Sequence, residues 1–276
     1  MRKYTSAAQM PLWKWILCLV FGLFIFMFLY GLSEIALDKI PQGDAWQCGA
    51  SVLLAFLGLL LYAIWGNLTE KRPVEELRLS RLFPDLGKGL LFGALIFGAV
   101  VGIMALVGSY QVTEAHFLPL PLLRAFCMFL VVAVYEEIIF RGILFRLIDD
   151  RWNTGVALIV SALVFGFVHM MNSGASLWSS LAIAIEAGLL LGAAFKFSKT
   201  LWLPIGIHWA WNFVQGNVFG FRVSGGDAGD HIISAIISGP DLVTGGVFGA
   251  EASVITVGIG LILTIVFLAC APKGRR

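Results

Sequence analysis

Six polar side chains carry the chemistry that this sequence can do: Glu136, Glu137 and Arg141 in the run YEEIIFRG, His169 closing FGFVH, and His208 and Asn212 bracketing HWAWN. Glu137 and Arg141 are four residues apart, on one face of a helix and within reach of each other, which offsets the cost of burying both. Glu136 points about 100° around the same helix and is left without that partner. A free carboxylate in apolar surroundings is suited to act as a general base. Imidazole passes a proton at neutral pH, and a histidine with an amide can donate hydrogen bonds to an oxyanion. Together Glu136, His169, His208 and Asn212 are the groups needed for water to attack a carbonyl. Singly, each has a plainer use as a hydrogen bond between helices; their conjunction on three helices argues for function.

The background makes these residues conspicuous. Of 276 residues, 59% are apolar and 13% charged, with mean hydropathy +0.90, against about 25% charged in a soluble domain. The chain lacks the polar side chains to cover a globular surface and reads as a polytopic membrane protein. That excludes intrinsic disorder, a collagen-like or disulfide-stapled secreted fold, and a large soluble catalytic domain. A net charge of +2 gives no electrostatic footprint for nucleic acid. An ionisable group inside a bilayer must pair, face the bundle interior or serve a function. Glu186 is a further one, most simply bonded across helices, with a cavity-lining role as the alternative.

The elements that must position these groups are helices, since a span needs about 20 mainly apolar residues. Eight windows qualify: Trp15–Gly31, Ala45–Gly66, Gly89–Gln111, Pro121–Phe145, Thr154–Met171, Leu177–Phe195, Leu201–Phe221 and Ala252–Ala271. The first is too long and lacks the cleavage site of a secretory signal, so it reads as a retained helix. With the N-terminus inside, the inner segments hold fifteen of the nineteen cations, among them Arg2, Lys3, Lys14, the group Lys71–Lys88, and Lys273, Arg275 and Arg276. Lys39, Arg124 and Arg222 fall outside and Arg141 within a helix, as the positive-inside rule demands. The predicted fold class is all-α: an eight-helix bundle with both termini cytoplasmic, a single domain over 1–276.

Between the second and third spans, 73–86 reads as an amphipathic helix on the inner surface or a solvated connector. The Gly-rich outer loop 222–251 holds one short apolar patch, 232–237. Cys18, Cys48, Cys127 and Cys270 lack CxxC spacing and read as packing residues, Cys48 having no evident partner. At 1.5 Å per residue, Glu136 and His208 lie about 13 and 10 Å from the inner ends of their spans, but His169 about 22 Å. They meet only if the fifth helix is tilted or begins below the membrane.

The EExxxR, FxxxH and HxxxN patterns of Glu136, Glu137 and Arg141, of Phe165 and His169, and of His208 and Asn212 resemble the three motifs of the CPBP intramembrane proteases. That family comprises the type II CAAX prenyl endopeptidases and their bacterial relatives, also called Abi proteins. The likeness spans 122–219, a catalytic core of helices four to seven, and no motif position departs from it. It implies that Glu136 with His169 activates water and that His208 with Asn212 stabilises the oxyanion. Glu137, Arg141 and Phe165 would support them. No cofactor is expected on this reading; the alternative is zinc held by Glu136, His169 and His208. The Asn212 partner of His208 favours the metal-free glutamate route. The expected partners are the lipid bilayer and a membrane-attached peptide or protein, cut near the cytoplasmic side, and the expected location is a bacterial plasma membrane. Two other functions fit the same residues: a non-catalytic interaction or bacteriocin-immunity protein, and a proton-coupled transporter.

Overall fold

The structure, a computed structural model, describes residues 7–40, 43–227 and 229–272. The terminal cations Arg2, Lys3, Lys273, Arg275 and Arg276 lie outside the described residues. Helices run through all eight predicted windows. They are α1 (Leu12–Lys39), α2 (Asp44–Trp65), α3 (Leu82–Leu106), α4 (Pro119–Glu137), α5 (Arg146–Arg151), α6 (Thr154–Val168), α7 (Leu177–Ile183), α8 (Leu190–Ser198), α9 (Trp202–Phe213), the one-turn α10 (Asp241–Thr244) and α11 (Val254–Cys270). π-Helical turns at Gly66–Glu70, Ile138–Phe145, Ala184–Leu189 and Val214–Val218 extend α2, join α4 to α5 and α7 to α8, and extend α9. Among the described residues, five of these rods are long and apolar enough to cross a membrane. Their outer faces carry bare apolar side chains, among them Phe24, Phe28, Leu91, Leu95, Ile262 and Ile265. Apolar area on that scale is stable only against lipid or another apolar surface.

Small residues bring the rods together. Without a hydrophobic drive between helices in lipid, close backbone approach supplies the packing. Gly93 of α3 lies against the Ile207 carbonyl of α9, where a Cβ would collide, and Gly206 meets the Gly89 Cα in the same way. This contact fixes the helix that bears His208 and Asn212.

At one end of the bundle the charged segments meet. Arg146 donates to Glu70 and to the Gly142 carbonyl, Arg72 donates to Glu70 and Glu76, and the Tyr62 hydroxyl reaches Glu76 at 2.5 Å. Lys196 pairs with Asp149 at 2.6 Å, Arg151 donates to the Met10 carbonyl, and Leu201 N–H donates to the Glu76 carbonyl. The segment 73–86 thus departs from both expectations. It forms 3-10 turns at Glu75–Leu77 and Leu79–Arg81 and then the first turn of α3, and Glu76 is buried among cations.

The opposite end carries features that the all-α expectation omits. Strand β1 (Tyr110–Ala115) pairs antiparallel with β2 (Ile233–Ile237), and α3 ends at Leu106 rather than running to Gln111. The run YQVTEA alternates and is rich in strand-favouring types, and the patch 232–237 supplies its partner. Cys48 and Cys127 form a disulfide between α2 and α4, with Cα atoms 5.1 Å apart. This corrects their reading as packing residues; a sequence separation of 79 hid the partnership.

Glu76 carries a testable consequence. Burial alone would raise its carboxyl, but the Arg72 hydrogen bonds and the charges of Arg146 and Arg72 outweigh it and hold the group at about 2. A depressed carboxylate gives stability that is present above its unfolded value of about 4.3 and is lost as pH falls through the folded value. Thermal unfolding in detergent is therefore expected to be flat from pH 7 to about pH 5 and to fall steeply between about 4.5 and 2. In Glu76→Gln that part of the acid dependence is lost.

Candidate active site

The site is built where regular helix gives way. α4 ends on Glu136 and Glu137, and Arg141 lies in the π-helical stretch that follows. His169 opens the 3-10 turn that closes α6. Asn212 stands one turn after His208, just before the π-helical end of α9. Turns of this kind rotate side chains off the regular helical register and recur at functional sites.

Glu137 ties these elements together. Its Oε1 accepts from Arg141 Nη1 at 2.7 Å and lies 3.0 Å from His208 Nδ1, and the carboxyl is fully buried. Because a carboxylate only accepts, that nitrogen carries the proton, and His208 presents Nε2 to the cavity. Arg141 Nη2 also donates to the Ala187 and Gly188 carbonyls, at 3.1 and 3.2 Å. His169 is fixed in the same sense: Nδ1–H donates to the Phe165 carbonyl at 2.7 Å and leaves Nε2 free. Phe165 holds the group together, its ring 4.7 Å from the Arg141 guanidinium carbon and packed against both His169 and His208.

Glu136, His169, His208 and Asn212 all line one cavity of about 450 Å³. Glu136 Oε2 stands 3.9 Å from His208 Nε2, a gap that one bridging oxygen can fill. Glu186 lines the same space, and its Oε2 has no hydrogen-bond partner among the described residues. Tyr30, Glu34 and Glu251 are lining residues that the sequence analysis does not single out. Tyr30 and Glu34 share a helical face near the end of the first span, a weak signal; Glu251 sits in a loop and gives none. The remaining histidines, His116 and His231, lie on the sheet end and bond locally to Glu114 and to Gly229.

The depth conflict of the sequence analysis disappears. The fourth span does not stop at Phe145 but continues through α5 to Arg151, and Thr154 bonds to Asp149. The fifth helix therefore starts level with an extended fourth, and both Glu136 and His169 stand about 22 Å above their charged ends. The exposed rim of the cavity is made by Asn172, Ser173, Gly226 and Asp227 with Glu34. These belong to the sheet end, so the cavity opens away from the cation-rich end.

As they lie, no three His, Cys, Asp or Glu side chains among the described residues are gathered closely enough to hold a metal ion. The alternative zinc set of Glu136, His169 and His208 is not assembled.

A bundle that is apolar outside and buries its ionisable groups around an internal cavity is a multi-pass integral membrane protein. Residues 118–214, about a third of the chain, match the Rce1-like family, described as type II CAAX prenyl endopeptidase Rce1-like. The matched segment carries every motif residue, and over that third the chain is similar to the type II CAAX prenyl endopeptidases. No curated protein matches the chain.

The shared acceptor and the free carboxyl should respond differently to truncation. Glu137→Ala leaves Arg141 and His208 buried without their common partner and is expected to cost about 3–5 kcal/mol. Glu136→Ala removes a carboxyl with one oxygen unpaired and should stay within about 1 kcal/mol of the parent. Thermal unfolding of the three proteins in one detergent checks the contrast.

Proposed function

We propose that this chain is an endopeptidase that hydrolyses a peptide bond of a membrane-attached protein or peptide, with water activated by Glu136 and an oxyanion site formed by His208 and Asn212. The observation that carries the reading is the convergence of Glu136 and the Nε2 edges of both histidines on one cavity, with Glu136 and His208 separated by 3.9 Å. His169, its Nδ1–H committed to Phe165, offers an Nε2 lone pair and with Glu136 can accept the proton of the attacking water. His208, once protonated beside Glu136 and Glu137, donates Nε2–H to the oxygen of the tetrahedral intermediate. The Asn212 amide donates to the same oxygen. Glu137 and Arg141 hold the His208 ring in that orientation, and Phe165 packs against both imidazoles.

A second cleft of about 320 Å³ adjoins the first and shares Tyr30, Glu34, Glu136, His169 and Asn172 with it. Its outer wall is Met27 and Gly31 of α1 and Val168 of α6, which are exposed on the flank of the bundle. A substrate held in the bilayer would reach Glu136 sideways, between α1 and α6. On the positive-inside rule the end that bears Arg72 and Arg146 is cytoplasmic, and the cavity mouth faces the other side. The bilayer in question is proposed to be a bacterial plasma membrane.

Mass spectrometry of peptides released from membranes that carry the protein tests this. Glu136→Ala is expected to lower cleavage by at least about 10²-fold, and Asn212→Ala by about 10²–10³-fold. Unchanged cleavage in Glu136→Ala overturns the reading. Full biological activity in Glu136→Gln and His208→Ala would instead favour the non-catalytic interaction protein. Metal analysis of the purified active protein separates the glutamate route from a zinc-dependent form of the same hydrolysis.

A further inference from the structure

Glu186 is a buried carboxyl to which the hydrolytic reading gives no work. It is 1% exposed, it lines the cavity, and its Oε2 accepts no hydrogen bond from the described residues. The π-helical stretch Ala184–Leu189 carries it, and α11 presses on that stretch from behind. A Cβ on Gly260 would stand 2.6 Å from the Glu186 Cα and 2.7 Å from its carbonyl oxygen. The side chain is thus pinned toward the cavity. Glu34, Glu136, Asp227 and Glu251 also line this space, and among the described residues no lysine or arginine does. The nearest cation, Arg141, gives its Nη groups to Glu137 and to the Ala187 and Gly188 carbonyls, and its Nε bonds to none of the described residues. A buried carboxyl with an empty lone pair is costly, and among the described residues no cation is hydrogen-bonded to Glu186 Oε2.

We propose that the cavity receives a basic side chain of the substrate, lysine or arginine, whose cationic head docks on Glu186 with Glu251 on the same wall. This rests on the hydrolytic reading and adds to it a preference for a positive residue near the scissile bond. The apolar residues around Glu186, namely Ile183, Leu190, Leu191 and Ile207, suit the aliphatic stem of such a side chain. A bare metal ion would have no use for them. Burial raises the Glu251 carboxyl although the Ser224 backbone N–H bonds to it, so this second carboxyl also gains from a bound cation.

The test uses the full chain in lipid nanodiscs and N-acylated peptides in which the residues beside the target bond include one lysine, norleucine or glutamate. The lysine is then the peptide's only cation. Binding is read by fluorescence anisotropy and cleavage in parallel by mass spectrometry. The lysine peptide should bind at least about tenfold more tightly than its norleucine isostere, with the glutamate peptide weakest. In Glu186→Gln the lysine-to-norleucine ratio should fall to within about twofold, and in Glu251→Gln it should narrow. Equal binding of the lysine and norleucine peptides to the unaltered protein overturns the proposal, and so does an unchanged ratio in a folded Glu186→Gln. If Glu186→Gln does not fold, the peptide comparison on the unaltered protein decides alone. Selective binding of the lysine peptide without cleavage would overturn the hydrolytic reading and leave the cation site standing.

Discussion

Everything in the site depends on a single carboxylate oxygen. Glu137 Oε1 accepts from a guanidinium and from an imidazole, at 2.7 and 3.0 Å, in a place from which solvent is excluded. In so apolar a setting an unpaired charge is prohibitively expensive, so the requirement to satisfy Glu137 dictates where Arg141 and His208 stand. Arg141 in turn binds the carbonyls of the stretch that carries Glu186, and its guanidinium lies over Phe165, which packs on His169. One buried pairing rule thereby connects α4, α6, α9 and the turn between α7 and α8. The Glu136 carboxyl next to it escapes the rule and faces open space.

The parts of the molecule that were legible in the sequence are those set by local spacing. A spacing of four from Glu137 to Arg141 and from His208 to Asn212 puts each pair on one face, and uncharged windows mark the helices. What escaped depends on contacts between distant segments. Strand β1 finds β2 across more than a hundred residues, Cys48 finds Cys127 across 79, and Glu76 is buried only because Arg72, Arg146 and Tyr62 converge on it. The charged run after Phe145 looked like the end of a helix because its charges were counted as exposed. They are instead satisfied by Glu70, by Lys196 and by the Met10 carbonyl, so the helix continues. That extension placed His169 level with Glu136.

The π-helical turns mark the polar groups more closely than any sequence feature. Arg141 and Glu186 lie within such turns, Asn212 stands two residues before one, and Glu70 closes another. A wide turn leaves the backbone ladder imperfect, and that cost is tolerated where a side chain must leave the regular register. A tight glycine contact, Gly260 against Glu186, abuts one of these turns, and Gly93 lies as tightly on the regular part of α9.

The disulfide between α2 and α4 has a bearing beyond fastening two helices. A cysteine pair stays oxidised where thiols are not continually reduced, outside the cytosol in most cells. Cys48 lies in the first turns of α2 and Cys127 in the first half of α4, both toward the end that carries the sheet and the cavity mouth. The sulfur bond and the distribution of cations are independent signals, one chemical and one electrostatic, and the disulfide lies at the end opposite the buried cations Arg72 and Arg146. The same two cysteines are thus a built-in reporter of sidedness, readable by whether a membrane-impermeant reductant and thiol label reach them in intact cells.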